Sequence, residues 1–510
     1  MAMRSCVQLK NTKNNDTREE KTVAKDGRIK QMQMALMCLA ASFVLLFLCS
    51  QSSPLYPTNT WVDANCLLTV GRAMKNGAVV YRDIYEQKGP TLYLIHWIAA
   101  LISDTSFLGV FVLEVLSLAA ALYAGSHLLL RRMSRWAALA CSVLIMAFVL
   151  CGGSFMKGDS AEEFCLPYLT AALHLVFAQY GSQKGPMHSK ALFACGLLAG
   201  VTATIKYTAL GLFVGLCAAE GVFALQHGGF KRALKSAGVF LAGMMLPIAA
   251  WCVYFAAQGA LSDFYTAYIY NNIFLYSEKI RTIKTIVWQV VSSAKDNAVW
   301  VLLAVLGIAA MAADGRLSLQ LRFAVMMMAA CAFAAVFLPG YTFAYYPLVL
   351  SVFAFAGAYG LAGCACRFLA LRRAGSVLCV SAWLLAAVFA FVFSPNAPVR
   401  GVKREELAQT RLAAYIHPGA TLLQYSHLDD GLYLASGTLP QEKYFVRLNV
   451  RYDDMLEELD RYLEEGLPDY VLVSWEELPA RFEQYQWIAT DAGYDDANRI
   501  NKLLYLYRRK

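Results

Sequence analysis

Residues Trp61–Leu94 read WVDANCLLTVGRAMKNGAVVYRDIYEQKGPTLYL. An apolar run at 33–51 precedes the stretch, and Pro90 opens the next apolar segment, as suits proline at a helix start. Two acids, Asp63 and Asp83, and one cation, Lys88, therefore lie within short reach of two hydrophobic helices. Ionisable groups at a bilayer boundary are costly and mark a functional site by default. An acid and a cation beside lipid suit a base and a phosphate anchor for a lipid-borne substrate. Pro90 fixes Lys88 near the headgroup plane. Leu67, Leu68, Val70 and Met74 have the spacing of an interfacial amphipathic segment, with Arg72 and Lys75 expected to face water.

The rest of the chain supplies the membrane context. Of 510 residues, 58% are hydrophobic and 16% charged, against about 25% charged in soluble domains. From Met34 to Phe393 the sequence is a series of apolar runs of roughly 17–22 residues, the length that crosses hydrocarbon. Only helices satisfy their backbone within such runs. Spans are expected at 33–51, 107–130, 136–152, 163–180, 191–205, 207–226, 237–256, 297–313, 322–338, 344–363 and 375–394, with 90–103 half-inserted. The expected fold is an α-helical polytopic membrane protein of about 11 to 13 spans with a small C-terminal α/β domain.

The net charge of +9 is concentrated in the N-terminal tail and in short loops at 131–135, 231–235, 316–322 and 367–373. Such clusters mark the cytoplasmic side. The N-terminus is then inside, and loops 52–89, 151–162 and 257–296 and the C-terminal segment are outside. The cations are spread over separate loops with no binding fold, which argues against nucleic acid. The domain division expected is a disordered cytoplasmic tail at 1–32, a membrane body at 33–394 with its first outer loop at 52–90, and an extracytoplasmic α/β domain at 395–510. The first apolar run follows a long charged tail and reads as an uncleaved anchor. Most of the 14 cysteines fall inside apolar runs, where they act as small hydrophobes. In the C-terminal domain the bursts 422–428, 444–450, 470–475 and 503–509 read as strands, and 452–465 as an amphipathic helix.

An Asp soon after the first span, the Gly77-to-Asp83 stretch GAVVYRD and the KGPTLY opening of the next helix together resemble integral-membrane glycosyltransferases of the GT-C type. The similarity is to bacterial members of the protein-O-mannosyltransferase and aminoarabinose-transferase group. The resemblance implies the GT-C fold and sugar transfer from a polyprenyl-phosphate donor, on the outer face, to a cell-envelope glycan, lipid or protein. It implies Asp63 as general base and Lys88 as anchor of the carrier phosphate. Two departures stand out: Ala64 where the family's acidic pair has its second acid, and Gly89 in the middle of its Lys-Pro-Pro-like motif. The chemistry needs a carboxylate to take the acceptor's proton and cations for charge growing on the departing phosphate. No nucleotide loop is required, no cofactor is implied beyond the donor substrate, and divalent-metal dependence is left open.

Further candidates for substrate binding are Tyr81 and Asp83 in the same loop, Glu163 in the acidic run at 157–163, Lys206 between two short spans and Tyr345 in YTFAYYP. Four of the five have a plainer alternative: turn structure for Asp83, a helix cap for the run containing Glu163, a snorkelling lysine for Lys206 and an interfacial aromatic belt for Tyr345. His96 reads as a packed side chain. Rival functions are a lipid-linked-sugar transporter or flippase, and an oligosaccharide ligase using a diphosphate donor. No internal repeat of the transporter kind is evident.

Overall fold

Long apolar runs and polar caps at their starts lay out the helical body in a computed structural model describing residues 27–181, 185–275, 282–339, 343–365, 375–425, 427–448, 452–495 and 500–510. The expected tail at 1–32 falls mostly outside these residues, and helix α1 already begins at Gly27 and runs to Cys49. Then follow α2 (Val62–Lys75), α3 (Pro90–Ile102), α4 (Leu108–Leu129), α5 (Arg135–Leu150), α6 (Ala161–Tyr180) and α7 (Ser189–Ala203). Next come α8 (Gly211–Ala257), α9 (Leu261–Phe264), α10 (Ile283–Asp296), α11 (Ala298–Ala313), α12 (Leu319–Phe337), α13 (Phe353–Ala365) and α14 (Ser376–Phe393). Ser134, Ser160, Thr282 and Ser318 cap α5, α6, α10 and α12 by accepting a backbone N–H three residues on. At 22 residues, α4 is about 33 Å long, enough to cross hydrocarbon.

By length and apolarity alone, six helices among the described residues are long enough to cross a membrane. A seventh arises if α10 and α11, bent by 103° to one another, count as one. The expected eleven stretches are nonetheless nearly all helical. The difference comes from short helices such as α5 and α7, and from α8, where two expected spans fall in one 47-residue helix. Gly229 breaks α8 with φ 62° and ψ −164°. The Ser236 hydroxyl donates to Glu220 Oε1 at 2.8 Å although the two lie 16 positions apart. In a straight helix they would be about 24 Å apart, so the chain doubles back at Gly229. The first arm packs on α12 and the second on α7, where Gly200 lets the Met244 carbonyl approach to 2.2 Å of where a Cβ would stand.

The C-terminal unit is a four-stranded sheet, β1 (Leu422–Gln424), β2 (Tyr470–Ser474), β3 (Tyr485–Asp495) and β4 (Ile500–Arg509), in the order β1-β2-β4-β3. β1 pairs parallel with β2, and the other pairings are antiparallel. A helix at Asp453–Glu464 buries Met455, Leu459, Tyr462 and Leu463, as its periodicity predicts. The expected strand at 444–450 is not one: within its described part, Val446 makes a single bridge to Gln424. The fourth strand is 485–495, hidden in the sequence by Asp491 and Gly493 and by a register shift after Trp487.

This sheet unit sits on α2. Thr69 donates to Asp429 at 2.7 Å, and Arg72 Nη1 donates to the Tyr433 carbonyl at 3.1 Å. Arg72, expected in water, is therefore buried under the C-terminal domain. Beside it, Tyr85 N–H donates to the Lys443 carbonyl at 2.8 Å, and Lys443 pairs with Asp263 at 3.2 Å.

Candidate active site

Asp63 stands in the first turn of α2, where a negative charge suits the helix dipole. Its Oδ1 meets Lys88 Nζ at 3.0 Å. Lys88 Nζ also donates to Glu86 Oε1 at 2.9 Å. Asp63 and Lys88 are 15% and 16% exposed, while Glu86 is 1% exposed. Burial opposes the ammonium charge, but Asp63 and Glu86 outweigh it and hold Lys88 well above the usual lysine value.

The backbone around Lys88 is fixed from several sides. Its N–H donates to Glu86 Oε2 at 3.0 Å and to the Tyr93 hydroxyl at 2.8 Å. The Tyr93 hydroxyl donates to the same Glu86 oxygen. Tyr81, fully buried with φ 74°, donates its hydroxyl to the Lys88 carbonyl at 2.6 Å. Gly89 N–H bonds the Ile205 carbonyl at 3.2 Å and Thr91 N–H the Thr204 carbonyl at 2.9 Å. A Cβ at Gly89 would stand 2.2 Å from the Thr204 oxygen. That close approach is a physical reason for glycine in the middle of the Lys-Gly-Pro motif.

The same lacing brings Lys206 to the site. Lys206 pairs with Glu162 and lies 3.8 Å from the centroid of Tyr346 and 5.1 Å from that of Tyr345. Tyr345 packs edge-on against Trp61 at 5.0 Å. Between these groups lies a cavity of about 300 Å³ lined by Asp63, Glu86, Lys88, Lys206, Tyr268, Asn272, Tyr345 and Tyr346. Leu428 of the C-terminal domain closes part of its wall. Asn272 reaches the Gln87 carbonyl at 2.8 Å and so ties the 265–275 segment to the first loop.

Four of the seven residues singled out in the sequence, Asp63, Lys88, Lys206 and Tyr345, line one cavity. Tyr81 supports Lys88 from beneath. Asp83 lies at the surface, 37% exposed, taking Val79 N–H at 2.8 Å and the Arg82 guanidinium at 2.7 Å. The Arg82 guanidinium beside Asp83 holds its carboxyl below the usual carboxylate value. Glu163 sits behind the cavity and accepts the Asp159 N–H at 2.9 Å, as does Glu114 at 2.8 Å. Asp159 is fully buried with φ 65°, and its Oδ1 meets His96 Nε2 at 2.8 Å. Burial pushes its carboxyl up, against the pull of His96. His96 is thus packed, as its sequence context suggested, but packed onto an acid.

Glu86, Glu162 and Leu428 were not anticipated. For the two acids a signal existed: an acid two residues before Lys88, and an acidic run able to meet a distant lysine. Among the described residues no cluster of three or more His, Cys, Asp or Glu side chains is arranged to hold a metal ion.

The body and the sheet unit together have the GT-C fold. The structure of ArnT from Cupriavidus metallidurans in the apo state aligns over 95% of this chain and 98% of that one, with a TM-score of 0.58 and 12% identity. ArnT from the same organism bound to undecaprenyl phosphate aligns over 93% and 97%, with a TM-score of 0.57 and 12% identity. No protein-family model matches the sequence, and no curated protein matches it. Identities this low establish a shared fold, and the fold agrees with the expected multi-pass α-helical class.

Proposed function

We propose that this chain transfers a sugar from a polyprenyl-phosphate-linked donor to a cell-envelope acceptor on the outer face of the membrane. Asp63 acts as general base and Lys88 carries the phosphate charge, with Lys206 as a second cation. The membrane body at 33–394 is the catalytic unit, and 395–510 is an extracytoplasmic domain that completes the cavity wall. The observation that supports the reading best is the 3.0 Å Asp63–Lys88 pair at a cavity also lined by Lys206.

The pairing suggests an exchange. Before substrate arrives, Lys88 is neutralised by Asp63 and Glu86. An arriving phosphate competes for the ammonium, and Lys88 turns from Asp63 to a phosphate oxygen. Asp63 is then released to take the proton of an acceptor hydroxyl. The acceptor oxygen bonds to the anomeric carbon as the carbon–oxygen bond to phosphate breaks. Polyprenyl phosphate leaves with its charge held by Lys88. Tyr345, Tyr346 and Tyr268 offer ring faces to the sugar.

Incubating the purified protein in detergent with a radiolabelled polyprenyl-phosphate sugar and envelope acceptors tests the reading. Free polyprenyl phosphate and labelled acceptor are expected. Recovery of intact donor alone would overturn it and favour a transporter.

A further inference from the structure

A second cavity, of about 210 Å³, opens between the loop that follows α1, the turn between α3 and α4, and the start of the C-terminal domain. The proposed transfer does not use it. Thr58, Thr105, Ser106, Leu108 and Arg404 are among its lining residues. Its first wall is fixed by hydrogen bonds. Gln51 N–H donates to the Lys157 carbonyl at 2.8 Å, and the Gln51 side chain donates to Asn396 Oδ1 at 2.8 Å. The Tyr56 hydroxyl donates to the Leu48 carbonyl at 2.6 Å. Pro54 and Pro57, also in the lining, stiffen the backbone on either side of Tyr56.

Charge sets this cavity apart from the first. There, Lys88 is met by Asp63 and Glu86, and Lys206 by Glu162. Here, among the described lining residues, Arg404 is the only charged group. It is exposed, and no described side chain pairs with its guanidinium. Glu405 and Glu406 follow it in the chain but do not line the cavity, and Asp104, beside Thr105, is taken by Lys75. The hydroxyls of Thr58 and Thr105 have no hydrogen-bond partner among the described residues either. A guanidinium with no carboxylate of its own and hydroxyl donors beside it suits a phosphate.

The surface that continues from the cavity is apolar. Leu108 lines the cavity and starts a stripe on α4 with Val112 and Leu116, four residues apart and all exposed. Phe43 of α1, exposed as well, packs edge-on against Phe111 at 5.6 Å and widens the stripe. At about 33 Å, α4 is as long as hydrocarbon is deep, so in the orientation of the proposed function Leu108 lies at the outer boundary. A phosphate in the cavity then sits at headgroup depth, and the stripe runs into the hydrocarbon.

We propose that this second cavity holds the phosphate of an anionic phospholipid of the outer leaflet, with an acyl chain along Leu108, Val112 and Leu116. Arg404 carries the phosphate charge, and Thr58 and Thr105 donate to its oxygens. Arg404 comes from the C-terminal domain and the other groups from the membrane body, so the bound lipid joins the two units. The orientation is that of the proposed function, whereas lipid binding is measured without sugar transfer.

The test titrates the purified protein in detergent with short-chain phosphatidylglycerol, with the matching diacylglycerol and with inorganic phosphate, reading thermal melting and the lipid retained in native mass spectrometry. Phosphatidylglycerol is expected to bind at least about tenfold more tightly than the diacylglycerol, which lacks the phosphate. Arg404→Ala is expected to weaken that binding by at least about tenfold, while melting like the parent when no lipid is added. Arg404→Lys, which keeps the charge, is expected to lose less. Lys88→Met, which alters only the first cavity, is expected to bind phosphatidylglycerol as the parent does. Equal binding of the two lipids, or parent-like binding by Arg404→Ala, overturns the proposal. Binding lost in Lys88→Met but kept in Arg404→Ala places the lipid in the first cavity and overturns it as well. An equal, Arg404-dependent shift with inorganic phosphate alone makes the occupant a free anion and overturns the lipid assignment.

Discussion

Two acids in this molecule, Glu220 and Asp63, are held in contrasting ways. Glu220, at the hairpin of α8, is ringed by neutral donors: the Tyr180 hydroxyl at 2.6 Å, the Ser236 hydroxyl at 2.8 Å and Met187 N–H at 2.9 Å. Asp63 instead shares an ammonium with Glu86 and opens onto a 300 Å³ cavity. An acid held by fixed neutral dipoles is locked in place. An acid held by a lysine that another anion can claim is released when that anion arrives. The first arrangement ties helices together, and the second suits chemistry.

The largest expected effect that separates the two regions is loss of transfer on replacing Asp63 with Asn. The rate should fall by about 10²–10⁴-fold with the protein still folded in the membrane, as measured by donor turnover and by thermal melting. Replacing Lys88 with Met should lower turnover by about 10²–10³-fold, since one charge-stabilising donor is lost. Glu220→Ala should do the reverse, costing about 2–3 kcal/mol of stability through stranded donors while leaving turnover per folded molecule near normal. A Glu220→Ala protein that melts normally but has lost turnover would erase the contrast. Asp83→Asn, on an exposed pair, should alter turnover by less than about twofold.

Alkaline pH probes the same contrast. Lys88 is raised above its unfolded value, so the stability it contributes is fully present below the unfolded lysine pKa of about 10.4 and is lost as pH rises through the higher folded value. Lys88 therefore stays charged through the physiological range. A melting profile in which Lys88→Met removes an alkaline transition seen in the parent protein checks this.

Much of the site was legible because membrane sequence leaves so little room for charge. Asp63 and Lys88 stood out against apolar flanks, and Pro90 fixed the lysine's height. Their neutralising partners did not stand out: Glu86 was hidden by its closeness to Lys88, and Glu162 pairs with a lysine 44 positions away. Arg72 was misread because amphipathic spacing reveals a polar face and not what covers it; here the cover is a domain more than 350 residues on. The helices of the body were readable from their apolar runs, but the reversal at Gly229 depends on one backbone conformation. Strand 485–495 was missed because its partner β4, not its own composition, makes it a strand.

The exchange of Lys88 between Asp63 and phosphate is the centre of this account, and binding measures it apart from turnover. Titrating a short-chain polyprenyl phosphate into the parent protein, Asp63→Asn and Lys88→Met should give a clear order. Asp63→Asn should bind at least as tightly as the parent, because the competing carboxylate charge is gone, and Lys88→Met should bind far more weakly. Parent-like affinity in Lys88→Met would contradict the account.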